Sequence, residues 1–116
     1  MREILFRGKR VDNGEFVYGY IVEWGIDIGT EIFDNGKIHR VEKETVGQFT
    51  GLTDKNGVKI FEGDVISFKW NGETREEVIE FRQFSFTVGL DLNFTLNKVY
   101  EEDLGDIEVI GNIHTV

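Results

Sequence analysis

Apolar and polar positions alternate along most of the chain, a period of two that belongs to strands rather than helices. Phe16, Tyr18, Tyr20, Val22 and Trp24 share one face, opposite Val17, Gly19, Ile21 and Glu23. Ile66, Phe68 and Trp70 share a face opposite Val65, Ser67 and Lys69. Phe84, Phe86, Val88, Leu90, Leu92, Phe94 and Leu96 keep the same period. That run is too long for one strand, so a turn is expected between Gly89 and Asn93. A first strand begins around Ile4, Leu5 and Phe6, and a last one runs from Ile107 to His114, with Gly111 as a candidate bulge.

Turn chemistry joins these segments. Asn-Gly occurs at Asn13-Gly14, Asn35-Gly36, Asn56-Gly57 and Asn71-Gly72. Type I′ hairpin turns need positive φ at both central residues, which Asn tolerates and Gly adopts freely. Four such dipeptides predict an antiparallel meander. No fixed sequence repeat accompanies them, so a solenoid is not supported. Helical pattern is confined to Asn97–Leu104, with Asn97 as its cap and Gly105 as its stop. The expected fold class is all-β, a small barrel or sandwich with at most one short helix. Closure would also remove the edges that Phe-rich strands expose.

Composition narrows the field. A chain of 116 residues suits one domain with one core. An apolar fraction of 40%, with ten Phe, excludes wholesale disorder. There is no Cys, so disulfides and thiolate metal sites are excluded, and no Pro, so Pro-rich linkers are absent. No apolar run approaches the roughly 20 residues that span a bilayer, and Met1–Arg10 lacks a signal-peptide core. A cytoplasmic protein is expected.

Charge excludes more. Thirteen basic against 22 acidic residues leave a net of −9. Residues 1–58 carry 8 basic and 10 acidic groups, a net of −2; residues 59–116 carry 5 and 12, a net of −7. Duplex nucleic acid is a poor partner for such a chain. Arg2, Arg7, Lys9 and Arg10 are the local exception. They read as charge protecting an edge strand, or as a contact for a small anion or RNA.

Candidate chemistry is sparse. His39 and His114, with Ser67 and Ser85, are the only His and Ser residues, and no nucleophile elbow surrounds either Ser. No phosphate-cradling loop is visible. Asp54, Glu62 and Asp64 are oxygen donors of the kind a hard cation prefers, but the spacing is not that of an EF-hand. Asp54 is well explained as an Asx residue opening a turn, and Glu62-Gly63-Asp64 as a tight corner between Phe61 and Val65. Phe16, Tyr18, Tyr20 and Trp24 have the spacing of base-stacking aromatics but lack basic neighbours. Core packing is the default for them, and an exposed remainder would mark a protein–protein surface.

The stretch Thr45–Ile66, TVGQFTGLTDKNGVKIFEGDVI, resembles the signature of the YopX family of phage and prophage proteins. Arg2–Lys9 (REILFRGK) and Glu108–His114 (EVIGNIH) are similar to the family's opening strand and closing motif. Residues 20–40 and 70–105 carry no matching signature. The resemblance implies an SH3-type, partly open β-barrel and brings no cofactor and no catalytic residue. Gly47, Gln48, Thr50, Gly51, Leu52, Asp54, Asn56, Gly57, Glu62, Gly63 and Asp64 carry over as signature positions. The glycines fit turns and bulges. Gln48 and Thr50 flank Phe49 on the other strand face, and with Asp54, Asn56, Glu62 and Asp64 they form a candidate surface.

The expected function is a non-catalytic module that binds itself, as a homo-oligomer, or a host or phage protein. One rival is an acidic inhibitor of a host nucleic-acid enzyme. It requires Glu73, Glu76, Glu77, Glu80, Glu101, Glu102, Asp103 and Asp106 on one face. A second is a metal-dependent enzyme built on Asp54, Glu62 and Asp64. A direct nucleic-acid reader, resting on the N-terminal basic cluster, is the weakest.

Overall fold

The computed structural model describes residues 5–24, 29–82, 85–89, 95–102 and 106–114. Ten strands are present: β1 (Phe6–Lys9), β2 (Phe16–Trp24), β3 (Thr30–Asp34), β4 (Lys37–Val41), β5 (Gly47–Thr53), β6 (Lys59–Phe61), β7 (Asp64–Trp70), β8 (Glu73–Arg82), β9 (Ser85–Val88) and β10 (Glu108–Asn112). One helix, α1 (Leu96–Glu102), and a 3-10 turn at Lys43–Thr45 complete the described elements. The fold is all-β and barrel-like, as the alternation requires. The chain divides into two compact units, Met1–Phe49 and Thr50–Val116. Among the described residues, the buried apolar side chains fall into two clusters, one in each unit.

In the first unit the strand order is β4-β3-β2-β1-β5. Antiparallel pairs set Phe6 opposite Gly19, Ile21 opposite Ile32, and Phe33 opposite Ile38. The sheet curls so that β4 meets the chain at the end of β1. The Val11 N–H donates to the Arg40 carbonyl at 3.1 Å, and the Glu42 N–H donates to the Lys9 carbonyl at 2.9 Å. Inside lie Val17, Ile32 and Val41, with Ile21 and Val46 against them.

This interior is narrow. A Cβ at Gly8 would stand 3.0 Å from a Val41 methyl and 3.2 Å from the Ile32 δ-methyl. A Cβ at Gly19 would stand 1.9 Å from the Phe33 carbonyl oxygen, which no real structure accommodates. Glycine at 19 therefore permits the close approach of β2 to β3. Bulky side chains have no room on that face and project outward. The aromatic face of β2 is thus the solvent face: Tyr18 and Tyr20 are 43% and 59% exposed, against 8% for Val17. This reverses the core packing expected for Tyr18 and Tyr20. A register shift at Val22 then interrupts the alternation, so that Trp24 pairs with buried Thr30.

In the second unit the sheet order is β10-β7-β8-β9. Its core gathers Ile60, Ile66, Phe68, Ile79, Val88, Leu96, Val99 and Ile107. Phe68 points inward as its alternation predicts. The expected bulge in the last strand is present, with the register slipping between Val109 and Gly111. The long Phe84–Leu96 run does break: β9 ends at Val88, and Gly89 turns with φ 73°. The rest of the expected turn, to Asn93, lies outside the described residues. Helix α1 starts earlier than expected. Leu96 and Val99 are buried one turn apart and set its phase, so Thr95 takes the cap position. The Thr95 hydroxyl accepts the Lys98 N–H at 3.2 Å, and Asn97 sits exposed within the first turn. The expected stop, Gly105, lies outside the described residues.

The Asn-Gly dipeptides divide into two kinds. Asn35-Gly36 and Asn71-Gly72 have positive φ at both residues, 54° and 87° and then 52° and 81°, as two-residue hairpins require. At Asn13-Gly14 and Asn56-Gly57 only the glycine is positive, and each belongs to a longer loop. Gly19→Ala should cost about 3 kcal/mol, the upper range for an overpacked site. Urea denaturation of the variant is expected to show a correspondingly lower midpoint.

Candidate functional site

The signature positions mostly hold backbone together. The Thr45 hydroxyl donates to the Glu42 carbonyl at 2.6 Å and accepts the Lys9 N–H at 2.9 Å, which pins the 3-10 turn to β1. Gln48 is half-buried opposite Phe6, and Phe49 is buried with its N–H on the Leu5 carbonyl at 2.7 Å. Thr50 is buried, not part of an exposed face. Its hydroxyl donates to the Ile60 carbonyl at 2.8 Å and accepts the Leu52 N–H at 3.2 Å. Strict alternation fails here because Phe49 and Thr50 are both inside. The left-handed backbone of Gly51, φ 90°, follows at once.

Asp54 is the hub of the signature. Its Oδ1 accepts the N–H groups of Asn56 at 2.8 Å and Val58 at 2.9 Å. Its Oδ2 accepts the Val109 N–H at 2.9 Å, across 55 residues of chain. The same carboxylate thus closes the loop before β6 and holds it to β10. The Lys55 N–H donates to the Ile107 carbonyl at 2.9 Å, and the exposed Asn56 amide reaches Glu108 at 3.4 Å. Burial, the largest single influence, pushes the Asp54 carboxyl up. The Val109, Val58 and Asn56 N–H groups, with Lys55, outweigh it together and hold the group below its ordinary 3.8.

Asp64, 1% exposed, plays a smaller version of this part: its Oδ2 accepts the Phe61 N–H at 2.7 Å and closes the corner that contains half-buried Glu62. Gly63 completes the corner with φ 92° and donates its N–H to the Ile79 carbonyl at 2.8 Å. The carboxylates of Asp54 and Asp64 thus serve different turns. Among the described residues no three His, Cys, Asp or Glu side chains stand together as a metal site. His39 is half-buried on β4, Ser67 half-buried on β7 and Ser85 exposed on β9, while the His114 N–H binds the Asn112 side chain at 2.9 Å.

The other charged candidates are dispersed. Arg2 lies outside the described residues. Arg7 is 5% exposed, its guanidinium 4.7 Å over the Phe16 ring, and Arg10 is bound to Asp12 in a two-point ion pair. On β8, Glu73 and Glu77 alternate with Glu76 and Glu80, so the acids occupy both faces of the strand. Glu77 is paired with Arg75 at 2.9 Å. Asp103 and the side chains of Glu101 and Glu102 lie outside the description, and Asp106 is exposed.

What the signature does not contain is the exposed aromatic strip of the first unit. Tyr20 lies opposite Phe33, and Phe33 opposite Ile38, so three strands contribute one continuous row. Tyr20, Phe33 and Ile38 are 59%, 38% and 58% exposed, with Tyr18 beside them on β2. Ile38 continues into a groove of about 260 Å³ lined by Arg10, Val11, Asp12, His39 and Arg40. Phe33 and Ile38 escaped the sequence reading, which stopped at β2. The usable signal was Gly19 among Val17 and Ile21: the face with the small residue is the one that must fit inside.

Comparison with known proteins agrees with the signature. The family model described as YopX protein matches residues 6–115. Among solved structures, the crystal structure of protein EF1440 from Enterococcus faecalis is similar. It has 26% identity and a TM-score of 0.58, over 98% of this chain and 95% of that one. No curated protein matches the chain.

Asp54→Asn should destabilise the protein by about 2 kcal/mol at neutral pH, because an amide cannot accept all three N–H groups. The folded-state pKa of Asp54 is depressed, so its contribution is complete above the unfolded value and is lost as pH falls through the lower folded value. Denaturation curves taken from neutral pH down into that range should converge for wild type and variant.

Proposed function

The chain belongs to the YopX family, and from that premise we propose that it is a non-catalytic protein-binding module. It works in the cytoplasm of a bacterial host during phage or prophage expression. The observation that carries this reading is the row Tyr20–Phe33–Ile38, an apolar surface exposed on a sheet whose interior is already filled. A contiguous apolar strip with a polar rim supports an interaction site. Tyrosine suits such a role because it offers a large rigid contact with a polar tip.

This reading assigns no role to a cofactor or a metal. The acids nearest to a donor set, Asp54 and Asp64, accept backbone N–H groups in separate turns. An acidic decoy for a nucleic-acid enzyme gains no support from β8, whose acids alternate between faces. No helix among the described residues is long and apolar enough to cross a membrane.

Affinity purification of the tagged chain from host lysate, with and without nuclease, tests the reading. A stoichiometric protein, the same chain included, should be captured by wild type, survive nuclease and be lost with Tyr20→Asp. Capture unaffected by that variant would contradict the assigned surface, and capture lost to nuclease would contradict the protein-binding reading.

A further inference from the structure

We propose that the occupant of the Tyr20–Phe33–Ile38 face is a second copy of this chain, packed face to face about a two-fold axis. The inference rests on the binding-module reading and names its partner. Two observations select it, one of area and one of charge.

Tyr18, Tyr20, Phe33 and Ile38, each more than a third exposed, make a strip on the order of a few hundred Å². Two such faces, each with its polar rim, reach the roughly 1,000 Å² that a specific interface needs. Sheets pack in this way at about 10 Å, with side chains of the facing strands interdigitated. Tyr20 and Phe33 are cross-strand neighbours on the same face and supply the central anchors.

Charge decides between a copy and a foreign partner. Residues 1–49 carry seven basic and nine acidic groups, a net of −2, whereas residues 50–116 carry six and thirteen, a net of −7. Two copies of so acidic a chain repel each other least through the first unit. The rim of the strip is also mixed in sign. Arg40 stands opposite Glu31 on the same face as Phe33 and Ile38, and Arg10 binds Asp12 beside Ile38. Such a rim favours neither a strongly acidic nor a strongly basic partner. With Glu31 and Arg40 side by side, each face carries both signs, so two copies can match in charge across a two-fold.

Sedimentation velocity of the full chain over a hundredfold range of concentration tests the proposal. Wild type should reach twice the 13.4 kDa chain mass. Tyr20→Asp and Phe33→Asp should each weaken association by at least about 30-fold, the scale of an interface hot spot. Ile113→Asp, at an exposed apolar position of the second unit, should leave it unchanged. Circular dichroism should confirm that Tyr20→Asp keeps its strands, as expected at a position 59% exposed. A wild-type chain that stays single, or a dimer that survives Tyr20→Asp, would overturn the proposal. If wild type stays single while Tyr20→Asp still loses a captured foreign protein, the second copy falls alone and the binding-module reading stands.

Discussion

The constraint on which the first unit depends is the lack of space behind β2. Gly19 lies so close to the Phe33 carbonyl that no side chain fits there, and Gly8 faces Val41 and Ile32 with little more room. Interiors are packed to crystal-like density, so a barrel this narrow is filled by Val17, Ile32 and Val41. The bulkier Tyr18, Tyr20 and Phe33 stand on the other face, outside. The aromatic strip is the consequence of that geometry, and the proposed function follows from the strip.

The family signature and the proposed binding surface lie in different parts of the chain. The signature, from Thr45 to Ile66, is spent on backbone: Thr45 holds the 3-10 turn to β1, Thr50 closes on Ile60, Asp54 ties its loop to β10, and Asp64 closes a corner. Each is a polar side chain whose loss would leave buried N–H or carbonyl groups unpaired. Tyr18, Tyr20, Phe33 and Ile38 fall where no signature was recognised.

Much of the fold was legible in the sequence. Period-two alternation identified β2, β7 and β9, and Asn35-Gly36 and Asn71-Gly72 marked true two-residue hairpins. The bulge before Gly111 and the Asx role of Asp54 were also readable, because both follow from local chemistry. The orientation of β2 was not, since alternation separates two faces without saying which is inside. Bulk pointed to the aromatic face, and close backbone approach at Gly19 decided the other way. Thr50, expected on the surface, is buried because a strand entering a Gly51 irregularity no longer alternates. The long-range bond from Asp54 to Val109 has no sequence signal at all, being a tertiary contact between residues far apart in the chain.

The most direct test of the account is hydroxyl-radical footprinting of the free chain, read residue by residue by mass spectrometry. Tyr20 and Ile38 should be modified readily at low protein concentration, while Ile32 and Phe68 stay protected, and protection of Tyr20 should rise with concentration. Tyr20 as protected as Phe68 at the lowest concentration would place the aromatic face inside the first unit and contradict the account.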